Sequence, residues 1–180
     1  MQSQSTILQD DRLALKATLI ALTATLIIPL LVHQLPLNGS VPVGARLLPM
    51  FYAPFVAVVF FRPHTGVIAG LLAPVINHLV TGFPAWPIAG ILSTELAVFT
   101  LIASFLVRME YLRWLAAPLA YLFTKIVSIG LLALLPQWIP GQSPVDFALT
   151  SIRNGWMGIL VLLIISLIAG WVRFRNRLPQ

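Results

Sequence analysis

Six apolar runs alternate with short polar or proline-rich breaks along this chain. The first covers about 13–32 and follows a polar dozen, MQSQSTILQDDR. No small-residue cleavage site follows that run, so a cleaved signal peptide is not expected. The segment HQLPLNGSVPVGAR reads as a loop, because proline and glycine punctuate it. A short second run, 47–61, carries Pro49 and Pro54 and ends at Arg62-Pro63-His64. The third, 65–81, contains Gly66, Gly70 and Pro74. After the loop GFPAWP come a fourth run at 88–107, the charged connection RMEYLR and a fifth run at 114–135. A third proline-rich loop, PQWIPGQSPVD, precedes the sixth run, 147–172, and the basic tail RFRNRLPQ. A helix needs about 20 mostly apolar residues to cross a bilayer. The pattern therefore predicts six transmembrane helices in one integral membrane domain spanning 1–180.

Composition sharpens this reading. Of 180 residues, 59% are hydrophobic and 9% charged, against about 45–50% and about 25% in a soluble domain. So few charges do not disperse a soluble surface, and disorder requires low hydrophobicity. The expected fold class is an all-α polytopic membrane protein. Cysteine is absent, which removes disulfides, thiolate metal sites and a cysteine nucleophile.

The net charge of +6 reads as topology. With the N-terminus inside, the inner segments hold Arg12, Lys16, Arg62, Arg108, Arg113, Arg173, Arg175 and Arg177, whereas the outer loops hold Arg46. That bias places both termini in the cytoplasm. No soluble basic module is present to carry nucleic acid, so none is expected as a partner.

Glu95, Lys125 and Arg153 fit no loop. Charges inside spans commonly cost about 2.5–3.5 kcal/mol each at mid-helix and mark functional sites by default. At a rise of about 1.5 Å per residue, Glu95 lies roughly 10 Å, Lys125 roughly 15 Å and Arg153 roughly 9 Å below the outer helix ends. Asn77 and His78 lie about one turn below theirs. Tyr121, Thr124 and Ser128 share a face with Lys125, and Asn154 follows Arg153. Two readings stand side by side. The charges pair to hold helices together, or they line a binding pocket in the outer half. Cations outnumber the carboxylate there, which predicts a ligand with a carboxylate or similar acceptor. Arg46 either snorkels to headgroups or joins the pocket. His78 either packs or binds. Trp86 and Trp138 either anchor at the interface or stack on a flat ligand.

On the first helix Ala17, Ala21 and Thr25 recur every four residues, a spacing that lets helices approach closely. Gly66 and Gly70 follow the same logic within the third helix, where internal packing is the simpler use. No GxxxxGK[ST], HExxH or GxSxG motif occurs. The chain therefore has no nucleotide-binding loop of its own, and neither a catalytic site nor a metal or other cofactor is expected.

Three segments, the Ala17-xxx-Ala21 face, PVGARLLPMFYAPFVAVVFF and RPHTGVIAGLLAPVINHLVTG, together resemble the substrate-binding S component of energy-coupling factor (ECF) vitamin transporters. Size, helix count and long outer loops agree. Pro74 and Asn77 occupy a stretch where many members carry an acidic residue. The resemblance implies capture of a vitamin or related micronutrient at the outer face of a prokaryotic plasma membrane. Energy would come from a transmembrane coupling subunit and two ABC ATPases. The pocket residues it implies are Arg46, Asn77, His78, Trp86, Glu95, Lys125, Trp138, Arg153 and Asn154, to which helical spacing adds Tyr121, with Ala17 and Ala21 toward the coupling subunit. The competing reading is a small membrane scaffold similar to the rod-shape determining protein of the cell-wall machinery, with its charges as internal pairs.

Overall fold

The computed structural model describes residues 2–36 and 41–175. Arg177 lies outside them. The described chain forms helices and turns, with no strand among those residues. The helices are α1 (Gln2–His33), α2 (Val43–Leu47), α3 (Tyr52–Phe60), α4 (Pro63–Thr81), α5 (Trp86–Leu106), α6 (Ala116–Leu134), α7 (Pro144–Asn154) and α8 (Trp156–Arg175). Single 3₁₀ turns precede α3 and α6, and another follows α6.

Five stretches are long and apolar enough to cross a membrane: Arg12–His33, Pro63–Thr81, Trp86–Leu106, Arg113–Leu134 and Trp156–Arg173. The polar dozen at the start is helical from Gln2, extending α1 beyond its apolar part. The second expected span differs more. Its apolar helical stretch is Pro49–Phe60, about 18 Å long at the usual rise, well short of a ~30 Å core. Proline begins several elements at the first turn, where its missing N–H costs nothing: Pro63 in α4, Pro87 in α5 and Pro144 in α7.

The short α3 sits at the centre. It packs against α1, α4, α5 and α8, while α4 packs on α5 and α5 on α6. Phe55, Ala57, Val58 and Val59 of α3 are buried. Phe51, just before it, stands edge-on to Phe99 of α5 at 5.0 Å and to Tyr121 of α6 at 5.3 Å. Between α2 and α3 the backbone reverses at Leu48, a non-glycine residue in the left-handed region (φ 54°). Such a residue costs on the order of 1–3 kcal/mol and persists only where its surroundings hold it. Here Leu48 is packed over Gly155 and Gly158 of the α7–α8 segment. The Leu47 carbonyl released by the break accepts a hydrogen bond from the Tyr52 hydroxyl. Irregular backbone at membrane depth is tolerated where protein buries it and satisfies it.

Small residues set the other contacts. A Cβ on Gly66 would come within 2.6 Å of Val58 and 2.7 Å of the Pro54 carbonyl, so α4 lies against α3 closely enough to exclude alanine. Gly70 meets Leu96 of α5 in the same way. Ala17 and Ala21 are each 5% exposed, and Ala21 clusters with Ala57 of α3 and Ala69 of α4. The chain's own bundle thus packs on the Ala17–Ala21 face. The exposed side of α1 carries Leu15, Leu19, Ile20 and Leu31.

The sixth apolar run is corrected, because 147–172 is not one span. Ser143 accepts a hydrogen bond from the Asp146 N–H (3.1 Å), and its hydroxyl donates to the Asp146 carboxylate (2.7 Å). This cap starts α7 at Pro144, and Gly155 separates α7 from α8.

The glycine contacts make a graded prediction. Gly66→Ala should destabilise by about 1–3 kcal/mol through overpacking. Gly130→Ala, in a helix with open space around the new methyl, should stabilise by about 0.5–1 kcal/mol. Thermal unfolding in detergent measures both.

Candidate functional site

Glu95 belongs to the middle of α5 and Lys125 to the middle of α6. Both are buried, at 3% and 4% exposure. Lys125 Nζ donates to both carboxylate oxygens of Glu95 at 2.7 Å. One turn on, Ser128 Oγ donates to Glu95 Oε1 at 2.8 Å. The ring of Tyr121, one turn back, lies 5.1 Å from the ammonium, within cation–π range. Two residues on one face of α6, Lys125 and Ser128, thus converge on one carboxylate of α5, with Tyr121 of the same face against the ammonium. A buried charge is tolerable when it is paired and hydrogen-bonded, and here each charge has the other as partner, with Ser128 as a further donor to the carboxylate.

The pair forms the floor of a cavity of about 550 Å³, inside the ~300–1,000 Å³ range of small-molecule sites. Phe51 and Tyr121 continue the floor. Apolar walls come from Met50, Ile88, Ile91 and Leu92. The rim is built at the end of the bundle away from the arginine-bearing connections. It uses Pro29 and His33 of α1, Pro42, Gly44 and Leu48 around α2, and Asn77, Phe83 and Pro84 at the α4–α5 loop. Helix α7 closes the remaining side with Phe147, Thr150, Ser151 and Asn154, positions that fall on one helical face. The His33 ring sits against Gly44, where a Cβ would come within 2.9 Å, and its Nδ1 lies 2.6 Å from the Pro29 carbonyl. The lining is mostly apolar, with three amides near the mouth, Asn77, Gln142 and Asn154. This is a site built to enclose an apolar body and to fix a few polar edges.

Of the residues singled out from the sequence, Asn77, Glu95, Tyr121, Lys125 and Asn154 line the cavity. The others lie elsewhere. Arg153 is exposed on the far side of α7, because that helix is separate and turns a different face inward. Arg46 is half-buried on α2 and does not line the cavity. His78 is held outside it, with Nδ1 2.7 Å from the Pro84 carbonyl and its ring stacked on Trp86 at 4.5 Å. The pair braces the α4–α5 loop, which Asn77 also ties through its amide to the Phe83 carbonyl at 2.9 Å. Trp138 packs its ring on Gly90 and joins a cluster with Ile91, Leu132 and Ile139.

These positions overturn the expected surplus of cations. Among the described residues lining the cavity, the carboxylate and the ammonium are Glu95 and Lys125, and they neutralise each other. No excess charge calls for an anionic ligand. The sequence reading missed the rim residues His33, Phe83, Phe147, Thr150 and Ser151. The spacing of 147, 150, 151 and 154 was available as a signal once α7 is recognised as its own helix. Among the described residues, no three of His, Asp and Glu come together to hold a metal ion.

Fold and site together define an all-helical, multi-pass membrane protein with a cavity at one end. Comparison of the chain with protein families, with characterised proteins and with solved structures gives no match.

The pair makes a testable prediction. Lys125→Met should destabilise by about 3–5 kcal/mol, because it strands a buried carboxylate. Ser128→Ala should cost about 1–2 kcal/mol. The double variant Glu95→Leu/Lys125→Met should recover most of the loss, since an apolar replacement of a buried pair is often neutral or better. Thermal unfolding of the four proteins checks the order.

Proposed function

We propose that this chain is the substrate-binding subunit of an ECF-type importer and captures a vitamin or related micronutrient in the cavity above Glu95 and Lys125. The observation that carries the reading is the cavity itself: about 550 Å³, rimmed by short elements, apolar in its walls and polar at its floor. A scaffold of the cell-wall machinery has no use for such a space. The resemblance of the α1 face, the α2–α3 segment and α4 to S components supports the same conclusion.

In this reading the arginine-bearing end is cytoplasmic and the cavity opens outward. Pro49–Phe60 serves as the short sixth crossing, which leaves both termini inside. The protein resides in a prokaryotic plasma membrane. Energy is supplied by a transmembrane coupling subunit and two ABC ATPases, since the chain carries no GxxxxGK[ST] loop. The coupling subunit docks on a surface other than the buried Ala17–Ala21 face. The ligand is uncharged overall, because the two charges at the floor already cancel. It offers a donor and an acceptor edge to that pair and an apolar or aromatic body to Phe51, Tyr121 and Phe147.

Mass spectrometry of detergent-extracted protein should detect one small co-purifying molecule. The double variant Glu95→Leu/Lys125→Met should remain folded and lose it. Absence of any ligand from the unaltered protein, with no thermal shift across a panel of vitamins, would remove the transport reading and favour the scaffold.

A further inference from the structure

The opposite end of the bundle holds a second cavity, of about 160 Å³. Its apolar wall is Phe55 and Val59 of α3 with Val107 after α5, and Ser166 and Gly170 of α8 face them. Arg108, Arg113 and Arg173 complete the lining. Two parts of the chain, the α5–α6 connection and the end of α8, therefore bring three guanidinium-bearing side chains to one small space.

Two of these side chains are oriented by the fold. Arg173 donates from Nη1 to the Val59 carbonyl at 2.9 Å, which fixes the plane of its fork at the end of α3. Arg113 lies over the Trp114 ring at 5.1 Å, and that ring packs on Gly170, where a Cβ would come within 3.0 Å. A guanidinium carries five donors in a planar fork, and the fork matches phosphate oxygens in paired fashion. The positive-inside bias accounts for arginines at this end. It does not by itself bring three of them around a cavity.

Size and depth select the occupant. A volume of 160 Å³ falls below the ~300 Å³ lower bound of ordinary small-molecule pockets, and suits an oxyanion with a few attached atoms. Exposed Trp171, with Arg175 over its ring at 5.4 Å, and Trp114 beside Arg113 place the cavity at the level of an aromatic interfacial belt. Lipid phosphates lie at that depth, and basic pockets between membrane helices on the positive side suit anionic headgroups. We propose that the cavity bounded by Arg108, Arg113 and Arg173 binds the phosphate of an anionic phospholipid headgroup. The site is independent of the cavity over Glu95 and Lys125 and of the transport reading.

The full chain in detergent, stripped of lipid, can be titrated with phosphatidylglycerol, phosphatidylcholine and inorganic phosphate. Native mass spectrometry and thermal shift read binding. Phosphatidylglycerol should bind and stabilise in preference to phosphatidylcholine. Arg108→Gln should weaken phosphatidylglycerol binding about tenfold, the effect of losing one charge-assisted contact. Arg12→Gln, at the same end but outside the cavity, should leave it unchanged. Arg113→Gln disturbs the packing on Trp114, so the exposed Arg108 carries the test if that variant does not fold. Equal loss in the Arg108 and Arg12 variants would overturn the site. So would binding without preference between the two lipids. Stabilisation by inorganic phosphate alone, without the lipid, would overturn the headgroup assignment in favour of a free anion.

Discussion

The contact between Glu95 and Lys125 sets the terms for the rest of the molecule. Neither charge is tolerable alone at that depth, so α5 and α6 must meet in the one register that brings Nζ against both carboxylate oxygens. Ser128 occupies a further acceptor site on Glu95, and Tyr121 fixes the ammonium from the side. Once the register is set, Phe99 of α5 and Tyr121 of α6 both meet Phe51 with their rings nearly perpendicular to it. The entry to α3 is thereby placed as well. A buried pair is weak evidence for stability but a strong constraint on alignment, and here that alignment builds the cavity floor.

The second constraint is the shortness of α3. Because Pro49–Phe60 does not reach across a full core, the chain must supply backbone above it. It does so with α2, the left-handed Leu48 and a carbonyl satisfied by Tyr52. Glycines at 155 and 158 let that irregular segment lie directly on α8. The space above α3 that regular helix does not fill becomes the cavity over Glu95 and Lys125. In the proposed function, the vacancy left by a short helix is the binding site, and the loops that compensate for it are its lid.

Much of this was legible in the chain, for identifiable reasons. Four of the apolar runs correspond to membrane-length helices near their expected bounds, because span length is set by bilayer thickness and written plainly in hydropathy. Glu95, Lys125 and the shared face of Tyr121 and Ser128 were legible because charge inside an apolar run is conspicuous and helical spacing is fixed. Arg153 was misplaced because an uncharged apolar count joined two helices. The cap formed by Ser143, Pro144 and Asp146 was present in the sequence but read as loop. The Ala17–Ala21 face was legible as a close-approach surface, yet its partner was not, since small residues pack equally well on a neighbour in the same chain or in another. Leu48 gave no sign at all: a leucine does not advertise a positive φ, and only the packing around it holds that conformation.

The pair also has an electrical consequence. A single charge carried across a membrane potential of 100 mV exchanges about 2.3 kcal/mol with the field. The opposed charges of Glu95 and Lys125 are separated by 2.7 Å, less than a tenth of a ~30 Å core. Whatever their orientation, the field can do only a small fraction of that work on them. The buried polar centre of this protein is therefore nearly blind to membrane voltage, although it lies where the voltage falls. A lone lysine or glutamate at either position would couple the site to the membrane potential, and the pairing removes that coupling without removing the polarity.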